Sequence, residues 1–293
     1  MFKGSIVALV TPFKGDHVDE AAYKKLVEWQ IKEGTNGIVP CGTTGESPTL
    51  SEKEHAQVIE LCVQAVAKRI PVIAGTGSNS TSEAVLMTKH AAKVGADAAL
   101  VVTPYYNKPT KKGIYLHYKA VSESVDIPII LYNIAGRTGR NIDPETMAKL
   151  ASDFKNIVGV KEASGSLEQM LRIKELCGKD FMLTSGDDAL TLPILGIGGA
   201  GVISVAANIV PRDVAAVINA FNQGDLKKAQ ELNFKLMPLI RALFIETNPI
   251  PVKTACELMG LCNGALRLPM CGMEDANLVK LKQALIAYGL IKG

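Results

Sequence analysis

The sequence of 293 residues lacks the features that mark several classes of protein. Its 32 lysine and arginine residues nearly balance 29 aspartate and glutamate residues, which leaves a net charge of +3. A nucleic-acid-binding face needs a strong basic excess, because it must neutralise phosphates. The four histidines and six cysteines form no C-x-x-C pair and no Cys/His spacing suited to zinc. The composition therefore argues against a nucleic-acid partner and against a metal centre.

Signal-peptide and membrane-spanning patterns are also missing. The N-terminal apolar stretch at 6–10 is shorter than a signal-peptide core of about 7–15 residues. The charge-free stretch at 189–211 is long enough to cross a bilayer, but it contains Pro193, Asn208 and four glycines. A short helix followed by a buried strand accounts for this stretch better. Since reduced thiols are the default without a secretory signal, we expect a cytoplasmic protein that does not bind membranes.

The sequence does contain a regular alternation of short apolar runs and longer amphipathic stretches. The apolar runs are nearly continuous, as is typical of parallel strands that are covered on both faces. They lie at 5–10, 37–39, 71–74, 98–102, 128–131, 157–160, 181–184 and 201–204. Amphipathic stretches between them, such as 19–32, 51–67, 80–94, 111–125 and 166–176, predict helices. Ser51 with Glu54, and Ser80 with Glu83, form two capping-box patterns at helix starts.

About eight strand–helix units within roughly the first 225 residues match the usual size of a (β/α)₈ barrel. A doubly wound open sheet is the competing architecture. The number of units and the absence of extra antiparallel strands favour the barrel. The sequence therefore predicts an α/β fold with a barrel at 1–224, followed by a helical region at 225–293. Helices are expected there at 225–244, 251–261 and 274–287.

In such a barrel, the functional side chains lie at the carboxyl ends of the strands. Two hydroxyls, Thr43 and Thr44, stand between glycines in the loop at 41–47. Free backbone N–H groups in a tight loop suit a small carboxylate, while an ordinary turn is the other interpretation. Lys161 ends the apolar run at 157–160. It either extends its amine to solvent, or it lies in a dry pocket that favours a neutral, nucleophilic amine.

Phenols and a guanidinium follow two neighbouring strands. Tyr132 ends the fifth strand and Arg137 follows it, while Tyr105 and Tyr106 follow the fourth. A phenol can carry protons, and a guanidinium can bind a carboxylate through two hydrogen bonds. Packing at a surface or interface is the alternative for the tyrosines. The adjacent pair Asp187-Asp188 is interpreted as a helix N-cap rather than as an acid/base or metal site.

Two glycine-rich segments imitate dinucleotide-binding motifs. The segment G-x-G-x-x-G at 196–201 precedes a strand, whereas the motif must follow a strand and open a helix. Gly75 and Gly77 do follow a strand, but the third glycine is missing. We interpret both segments as packing and turn glycines.

The remaining constellation is a lysine nucleophile with phenol and hydroxyl proton carriers and carboxylate-binding groups. No Ser-His-Asp arrangement and no G-x-S-x-G elbow is visible in the sequence. This set of groups is suited to imine chemistry on a small keto acid. The lysine forms the covalent bond in such chemistry, so no cofactor is needed.

Several short segments carry a resemblance to a known family. They are GSI (4–6), TP (11–12), GTTGES (42–47), TPYYN (103–107), YN (132–133), RTG (137–139), GVKEA (159–163), SGDD (185–188), GVIS (201–204) and NPIPVK (248–253). In this order and spacing they resemble the dihydrodipicolinate synthases, which lie within the N-acetylneuraminate lyase superfamily of class I aldolases. The resemblance covers essentially the whole chain.

The resemblance implies a lyase that condenses pyruvate with L-aspartate 4-semialdehyde to 4-hydroxy-tetrahydrodipicolinate, on the way to diaminopimelate and lysine. It implies that Lys161 forms the imine with pyruvate and that Tyr132 is the central acid/base. Thr43 would relay the proton to Tyr106, which in the family reaches across from a neighbouring subunit. The family is commonly a tetramer built as a dimer of dimers, so a homo-oligomer is expected.

The same resemblance assigns substrate-binding groups. Thr44, together with Thr43, would hold the pyruvate carboxylate, and Arg137 would bind the carboxylate of the semialdehyde. Gly186 and Ile203 would supply backbone carbonyls near the substrate. A lysine effector site is implied in part by residues that match lysine-sensitive members, with departures at positions 48 and 52: Ser47, His55, Asn79, Glu83 and Tyr105. The family usually has proline at the position of Ala135, two residues before the arginine.

Two other functions compete with this one. Another pyruvate-dependent aldolase, such as N-acetylneuraminate lyase or a keto-deoxy-sugar-acid aldolase, would share the imine lysine and the tyrosine. Arg137 argues against it, because a guanidinium suits a short acidic aldehyde better than a polyol. A non-catalytic barrel that senses a metabolite is the second alternative, but a binding module has no use for a desolvated lysine.

Overall fold

A computed structural model describes residues 2–293. Its eight parallel strands form one sheet, and a two-stranded antiparallel sheet lies beside them. The strands are β1 (Gly4–Ala8), β2 (Phe13–Lys14), β3 (His17–Val18), β4 (Gly37–Val39), β5 (Ile73–Gly75), β6 (Ala98–Val102), β7 (Ile129–Asn133), β8 (Ile157–Glu162), β9 (Met182–Ser185) and β10 (Gly201–Ser204). The order in the large sheet is β4-β1-β10-β9-β8-β7-β6-β5. A parallel bridge between Ile38 and Val72 closes this sheet into a barrel.

Helices alternate with the barrel strands, and three more follow the barrel. They are α1 (Glu20–Lys32), α2 (Glu52–Val66), α3 (Thr81–Lys93), α4 (Lys111–Ser122), α5 (Ala135–Thr138), α6 (Pro144–Asp153), α7 (Leu167–Cys177), α8 (Thr191–Gly196), α9 (Pro211–Asn222), α10 (Leu226–Leu243), α11 (Ile250–Leu258) and α12 (Asp275–Tyr288). Short 3₁₀ turns occupy Ser47–Thr49, Asp188–Leu190 and Ala206–Asn208. The predicted (β/α)₈ barrel with a C-terminal helical region is confirmed.

Apolar side chains fill the barrel from every strand. Inward residues such as Ile6, Val39, Ile130 and Ile203 form one buried cluster, which also contains Tyr132. This layered packing explains why the strands are apolar along their whole length, since their outer faces pack on helices. It also places the side chains at the carboxyl end of each strand on the rim of one common opening.

The helical region after the barrel shares a core with it. Leu236 and Leu239 of α10 and Leu281 of α12 lie in the same buried cluster as Val7 and Val10. Helix α10 packs directly on α9 of the barrel, and α12 packs on α10 and α11. The division at 224/225 stays a prediction.

Side-chain caps set the starts of many helices. The caps are Asp19, Ser51, Ser80, Thr110, Asp143, Ser166 and Asp225, each of which accepts a hydrogen bond from a backbone N–H in the first turn. Each cap contributes about 1 kcal/mol. At Ser51 the predicted capping box is complete, because Glu54 also accepts from the Ser51 backbone N–H at 3.0 Å.

The second predicted capping box was wrong. Ser80 caps α3, but the carboxylate of Glu83 accepts a hydrogen bond from the Ser78 hydroxyl at 2.7 Å instead of closing the box. The Ser80 backbone N–H donates to the same hydroxyl at 3.1 Å. A serine two residues before the cap competes for both partners, which the spacing of Ser80 and Glu83 alone does not reveal.

The expectation that no antiparallel strands occur was also wrong. β2 and β3 pair antiparallel through Phe13 with Val18 and Lys14 with His17. Strands of two residues are too short to show any periodicity in sequence. The hairpin lies outside the barrel and does not change its closure.

The stretch at 189–211 breaks as predicted, into α8 and the buried strand β10. No helix within residues 2–293 is both long enough and apolar enough to cross a membrane. The glycines of this stretch have packing and turn roles: Gly198 has φ +83°, and a Cβ on Gly201 would lie 2.1 Å from the Gly4 carbonyl oxygen. A Cβ on Gly75 would lie 2.2 Å from the Cys41 carbonyl oxygen. The packing agrees with the structural interpretation at Gly75, Gly198 and Gly201.

Candidate active site

Lys161 and Tyr132 lie side by side inside the opening of the barrel. They are direct neighbours in the pairing of β7 with β8, so both side chains leave the same face. The Lys161 Nζ atom lies 4.3 Å from the centroid of the Tyr132 ring, and the two residues are each 5% exposed. Within residues 2–293 this amine has no carboxylate within 4.0 Å. Of the two interpretations of Lys161, the structure agrees with the buried amine.

Gly186 makes room for the lysine chain. A Cβ at this position would lie 3.0 Å from Lys161 Cε and 2.7 Å from Ala163 Cβ. These distances are shorter than van der Waals contact, so any side chain would displace the lysine. The structure therefore brings Gly186 against Lys161, at the end of the strand that follows β8.

Behind this pair, Asn133 and Glu162 hold β7 and β8 together on the outer face of the barrel. The buried Glu162 carboxylate accepts from Asn133 Nδ2 at 2.9 Å, from Gln169 Nε2 at 3.0 Å and from the Ser164 N–H at 2.7 Å. Our sequence reasoning gave these groups no role. The signal was present, however, since Lys161 and Glu162 place polar groups on both faces of a run that is otherwise apolar.

The threonine loop, defined here as residues 41–47, is held by groups far away in sequence. Thr11 donates its hydroxyl to the Gly45 carbonyl at 2.7 Å, and Asn248 Nδ2 donates to Thr44 Oγ1 at 3.0 Å. Cys41 and Glu46 have φ values of 53° and 54°, which non-glycine residues adopt only where the surroundings enforce it. This loop is therefore a rigid feature rather than an ordinary surface turn.

A buried ion pair secures the same loop to the C-terminal region. Lys253 Nζ lies 2.5 Å from Glu46 Oε1, and both side chains are almost completely buried. Burial lowers the pKa of Lys253, while the neighbouring Glu46 opposes the shift. The Arg267 backbone N–H donates to the other Glu46 oxygen at 3.2 Å. Sequence reasoning missed this pair, since residues 46 and 253 are far apart in the chain.

Arg137 lies in the short helix α5, with its side chain exposed to the opening. Its Nη2 donates to the Asn248 carbonyl oxygen at 2.8 Å. Ala135, which stands where the family usually has proline, is the first residue of this helix. Gly139 ends the helix in the left-handed conformation, with φ +68°. The segment is thus a defined turn of helix that points the guanidinium at the opening.

Tyr106 is the most exposed of the candidate residues, at 89%. Its backbone φ of 69° is unusual for a tyrosine. The neighbouring Tyr105 is half-buried. No hydrogen bond joins Thr43 to Tyr106 within the part of the chain that the structure describes.

Residues from both predicted sets line one cavity of about 850 Å³, although Thr44, Gly186 and Ile203 are not among its walls. Its walls include the catalytic and substrate-binding candidates Thr43, Tyr106, Tyr132 and Arg137 and the effector candidates Ser47, His55, Glu83 and Tyr105. Lys161 lies beside the wall residue Tyr132. Asn79 lies outside the walls, where its carbonyl accepts from Asn107 Nδ2 at 2.9 Å. Residues that lie nearly a hundred positions apart in the sequence therefore line the same cavity.

His55 presents a neutral imidazole to this cavity. Burial lowers its pKa to about 4, so the ring is uncharged near neutral pH. Its Nε2 atom is buried without a hydrogen-bond partner in residues 2–293. Glu83 carries a carboxylate on the same cavity. A neutral ring and a carboxylate together suit a ligand that carries an amine.

The two adjacent aspartates have different roles. Asp187 accepts from the Ala189 N–H at 2.9 Å and caps the 3₁₀ turn, as predicted. Asp188 is instead buried, and it accepts from the Ser204 hydroxyl and from the Val205 N–H at 2.8 Å. Burial raises the pKa of Asp188. Because Ser204 directly follows Ile203, Asp188 ties the loop that carries Gly186 to the end of the strand that carries Ile203.

Comparison with known proteins gives one consistent result. The model of the dihydrodipicolinate synthetase family matches residues 1–288. The sequence is 59% identical over 292 residues to the 4-hydroxy-tetrahydrodipicolinate synthase of Endomicrobium trichonymphae, with 100% of each chain covered. The fold matches a crystal structure of dihydrodipicolinate synthase from Aquifex aeolicus with a TM-score of 0.98 and 52% identity, over 100% of each chain. It also matches a crystal structure of the Cyanidioschyzon merolae enzyme that was solved with lysine bound. The TM-score is 0.96 and the identity is 45%, over 99% of each chain.

Proposed function

This chain belongs to the dihydrodipicolinate synthetase family, and we propose that it condenses pyruvate with L-aspartate 4-semialdehyde to give 4-hydroxy-tetrahydrodipicolinate. It is a lyase of lysine and diaminopimelate biosynthesis. Two relatives that are 59% and 57% identical to it are named 4-hydroxy-tetrahydrodipicolinate synthase. The observation that carries the proposal is the buried Lys161 amine, 4.3 Å from the ring centroid of Tyr132 in the opening of the barrel.

The reaction begins on Lys161. Its amine attacks the ketone carbon of pyruvate and water leaves, which forms an imine. The imine withdraws electrons from the neighbouring methyl group, so a proton leaves the methyl and an enamine forms. Tyr132 is the acid/base at this position, and Thr43 passes its proton on to Tyr106. The hydroxyls of Thr43 and Thr44 hold the pyruvate carboxylate.

The second half of the reaction uses Arg137. Its guanidinium binds the carboxylate of the semialdehyde, and the backbone carbonyls of Gly186 and Ile203 lie near the substrate. The enamine carbon attacks the aldehyde carbon, and the new alkoxide takes a proton. The amine of the semialdehyde then attacks the imine carbon and displaces Lys161, which closes the ring. The free amine of Lys161 is regenerated, so this sequence of steps balances without a cofactor.

Reductive trapping tests this function. The protein is incubated with pyruvate and borohydride, and its peptides are mapped by mass spectrometry. We expect one reduced pyruvate adduct, on Lys161. Lys253 is an internal control, because it is also a buried lysine beside an aromatic ring, 4.0 Å from the centroid of Phe13, but it is ion-paired with Glu46.

Two outcomes would overturn the function. A protein that binds pyruvate without an adduct would be the metabolite-sensing barrel rather than an enzyme. A protein that forms the adduct, fails to consume aspartate semialdehyde and cleaves N-acetylneuraminate or a keto-deoxy-sugar acid would be a different aldolase. Arg137 favours the condensation, because it offers the cavity a group for a carboxylate.

We further propose lysine as an effector of this protein. Ser47, His55, Glu83 and Tyr105 line the cavity, and Asn79 lies close to it. A carboxylate at Glu83 suits an ammonium group, and a neutral His55 adds no repulsion. The Cyanidioschyzon merolae relative has been solved with lysine bound, which supports the proposal. Pro48 and Glu52, where the chain departs from one version of the family pattern, also line the cavity.

Assembly into at least a dimer, and as in the family a dimer of dimers, completes the proposal. Tyr106 is 89% exposed in one chain, which fits a side chain that acts in the site of a neighbouring subunit. We propose that the enzyme works in the cytoplasm, where free thiols such as its six unpaired cysteines persist.

A further inference from the structure

Asn248 touches two residues that bind different substrates in the proposed function. Its Nδ2 donates to Thr44 Oγ1 at 3.0 Å, and its backbone carbonyl accepts from Arg137 Nη2 at 2.8 Å. Asn248 lies just before α11 and is 7% exposed. It therefore stands between the group for the pyruvate carboxylate and the group for the semialdehyde carboxylate.

The direction of the hydrogen bond to Thr44 matters. A threonine hydroxyl has one hydrogen to donate and two lone pairs that can accept. Because the Asn248 amide occupies a lone pair, the hydroxyl hydrogen of Thr44 is left for another acceptor. Across residues 2–293, no side chain or backbone group accepts that hydrogen. A carboxylate bound in front of the threonine loop would take it.

Asn248 is held in place from its other side. Lys253 of α11 is fixed to Glu46 of the threonine loop by the buried ion pair at 2.5 Å. The helix that follows Asn248 and the loop that carries Thr44 are thus one rigid unit. The Asn248 Oδ1 atom is buried without a partner in the described residues. An unpaired buried acceptor costs free energy, so stability alone does not account for an amide here.

We propose that Asn248 is a positioning residue of this reaction: it orients the Thr44 hydroxyl as a donor to the pyruvate carboxylate and sets Arg137 at a fixed place beside it. This inference rests on the proposed function. The Asn248 side chain acts on Thr44, which binds pyruvate, and the Asn248 backbone carbonyl acts on Arg137, which binds the semialdehyde. The two roles can be separated, because a substitution removes the first and keeps the second.

Two variants test the inference. Asn248→Ala removes the donor to Thr44, and we expect the KM for pyruvate to rise about tenfold. Asn248→Asp keeps the size but offers an acceptor, which takes the Thr44 hydrogen and repels the substrate carboxylate. We expect its KM for pyruvate to rise by roughly a further factor of ten. The KM for the semialdehyde should stay within about twofold in both, since the carbonyl that binds Arg137 remains.

A third variant and a control separate positioning from stability. In a Thr44→Val background, Asn248→Ala should add nothing, because the hydroxyl that it orients is gone. Asn233→Ala is the matched control, since Asn233 is equally buried at 7% exposure but lies on α10, outside the cavity. This control should leave both KM values unchanged. Should the aspartate variant not fold, the alanine variant and the Thr44→Val cycle still decide the question.

The pyruvate concentration that half-saturates borohydride trapping gives an independent measure. It should rise with the KM for pyruvate in both Asn248 variants. If the wild-type protein forms no adduct at all, the proposed function fails. If the wild-type protein forms the adduct but the Asn248 variants are half-saturated at the same pyruvate concentration, only the role of Asn248 is overturned. Equal increases in the KM for both substrates would also overturn it.

Discussion

Glu46 and Lys253 form an ion pair that is closed off from solvent, although 207 positions separate them in the chain. The pair joins the threonine loop, residues 41–47, to helix α11 (Ile250–Leu258). It fixes the loop whose hydroxyls bind pyruvate in the proposed function. The C-terminal helical region is therefore part of the site rather than an addition to the barrel.

Breaking this pair on one side should destabilise the protein strongly. Lys253→Met leaves the Glu46 carboxylate buried without its partner, and we expect a loss of about 3–5 kcal/mol in the free energy of unfolding. Adding Glu46→Gln removes the unpaired charge, so the double variant should recover most of this loss. Urea denaturation gives the free energy of unfolding of the wild type, the single variant and the double variant. A single variant as stable as the wild type would show that the pair carries no such energy.

Enlarging Gly186 should impair catalysis without unfolding the protein. In Gly186→Ala the new methyl group would lie 3.0 Å from Lys161 Cε, so the lysine chain must move. Because a displacement of about 1 Å can cost roughly a hundredfold in rate, we expect kcat to fall by about that factor. Gly272→Ala is the control, since no atom lies within 4 Å of its Cβ position. Steady-state kinetics with both substrates would detect the difference, and unchanged turnover in Gly186→Ala would contradict it.

Two buried histidines should make the protein less stable as the pH falls. Burial lowers the pKa of both His55 and His117 to about 4. Between this value and the unfolded pKa of about 6.5, the unfolded chain binds more protons than the native one, so stability is lost as the pH falls through that window. Between pH 7 and pH 5, His117→Gln should remove one contribution of about 2 kcal/mol.

The measurement is the free energy of unfolding from pH 7 to pH 5, with His17→Gln in the exposed hairpin as the control. The slope against pH should decrease in the His117 variant and should remain in the control. A wild-type stability that does not change over this range would contradict the prediction.

Glu83 should govern the response to lysine. In Glu83→Gln the carboxylate that faces the cavity is lost, and we expect the lysine concentration for half-inhibition to rise about tenfold. Activity without lysine should not change in Glu60→Gln, a control on α2 outside the cavity walls. An activity curve of the wild-type protein that stays flat up to millimolar lysine would remove the effector proposal.

Tyr106 should be needed for turnover and should act across a subunit boundary. Tyr106→Phe removes its hydroxyl, and we expect kcat to fall by roughly a hundredfold or more, since proton transfer by a positioned side chain contributes about that much. Tyr115→Phe, on α4 with its hydroxyl on Asp153, is the control. Sedimentation should show a dimer or larger assembly. Unchanged turnover in Tyr106→Phe would exclude Tyr106 from the proton path, and a fully active monomer would exclude its action across a subunit boundary.

Some features of the site follow from the sequence, because they are local. A lysine at the end of an apolar run must leave a barrel strand at its carboxyl end, and the structure has Lys161 there, beside Tyr132. Ser51 with Glu54 predicted a helix start correctly, since both partners lie within one turn. At Ser80 the same pattern was wrong, because Ser78 takes over the carboxylate.

Other features were decided only when the chain folded. These features contrast with the number of strand–helix units, the barrel and the lysine at its opening. The sequence determined those, because the hydrophobic period and the strand length depend on neighbouring residues. The contacts of Asn248 with Thr44 and Arg137, of Lys253 with Glu46 and of Asp188 with Ser204 join distant segments. Their partners are chosen by the closure of the barrel and the packing of α11 on it, and no local pattern encodes which polar groups meet in a buried space.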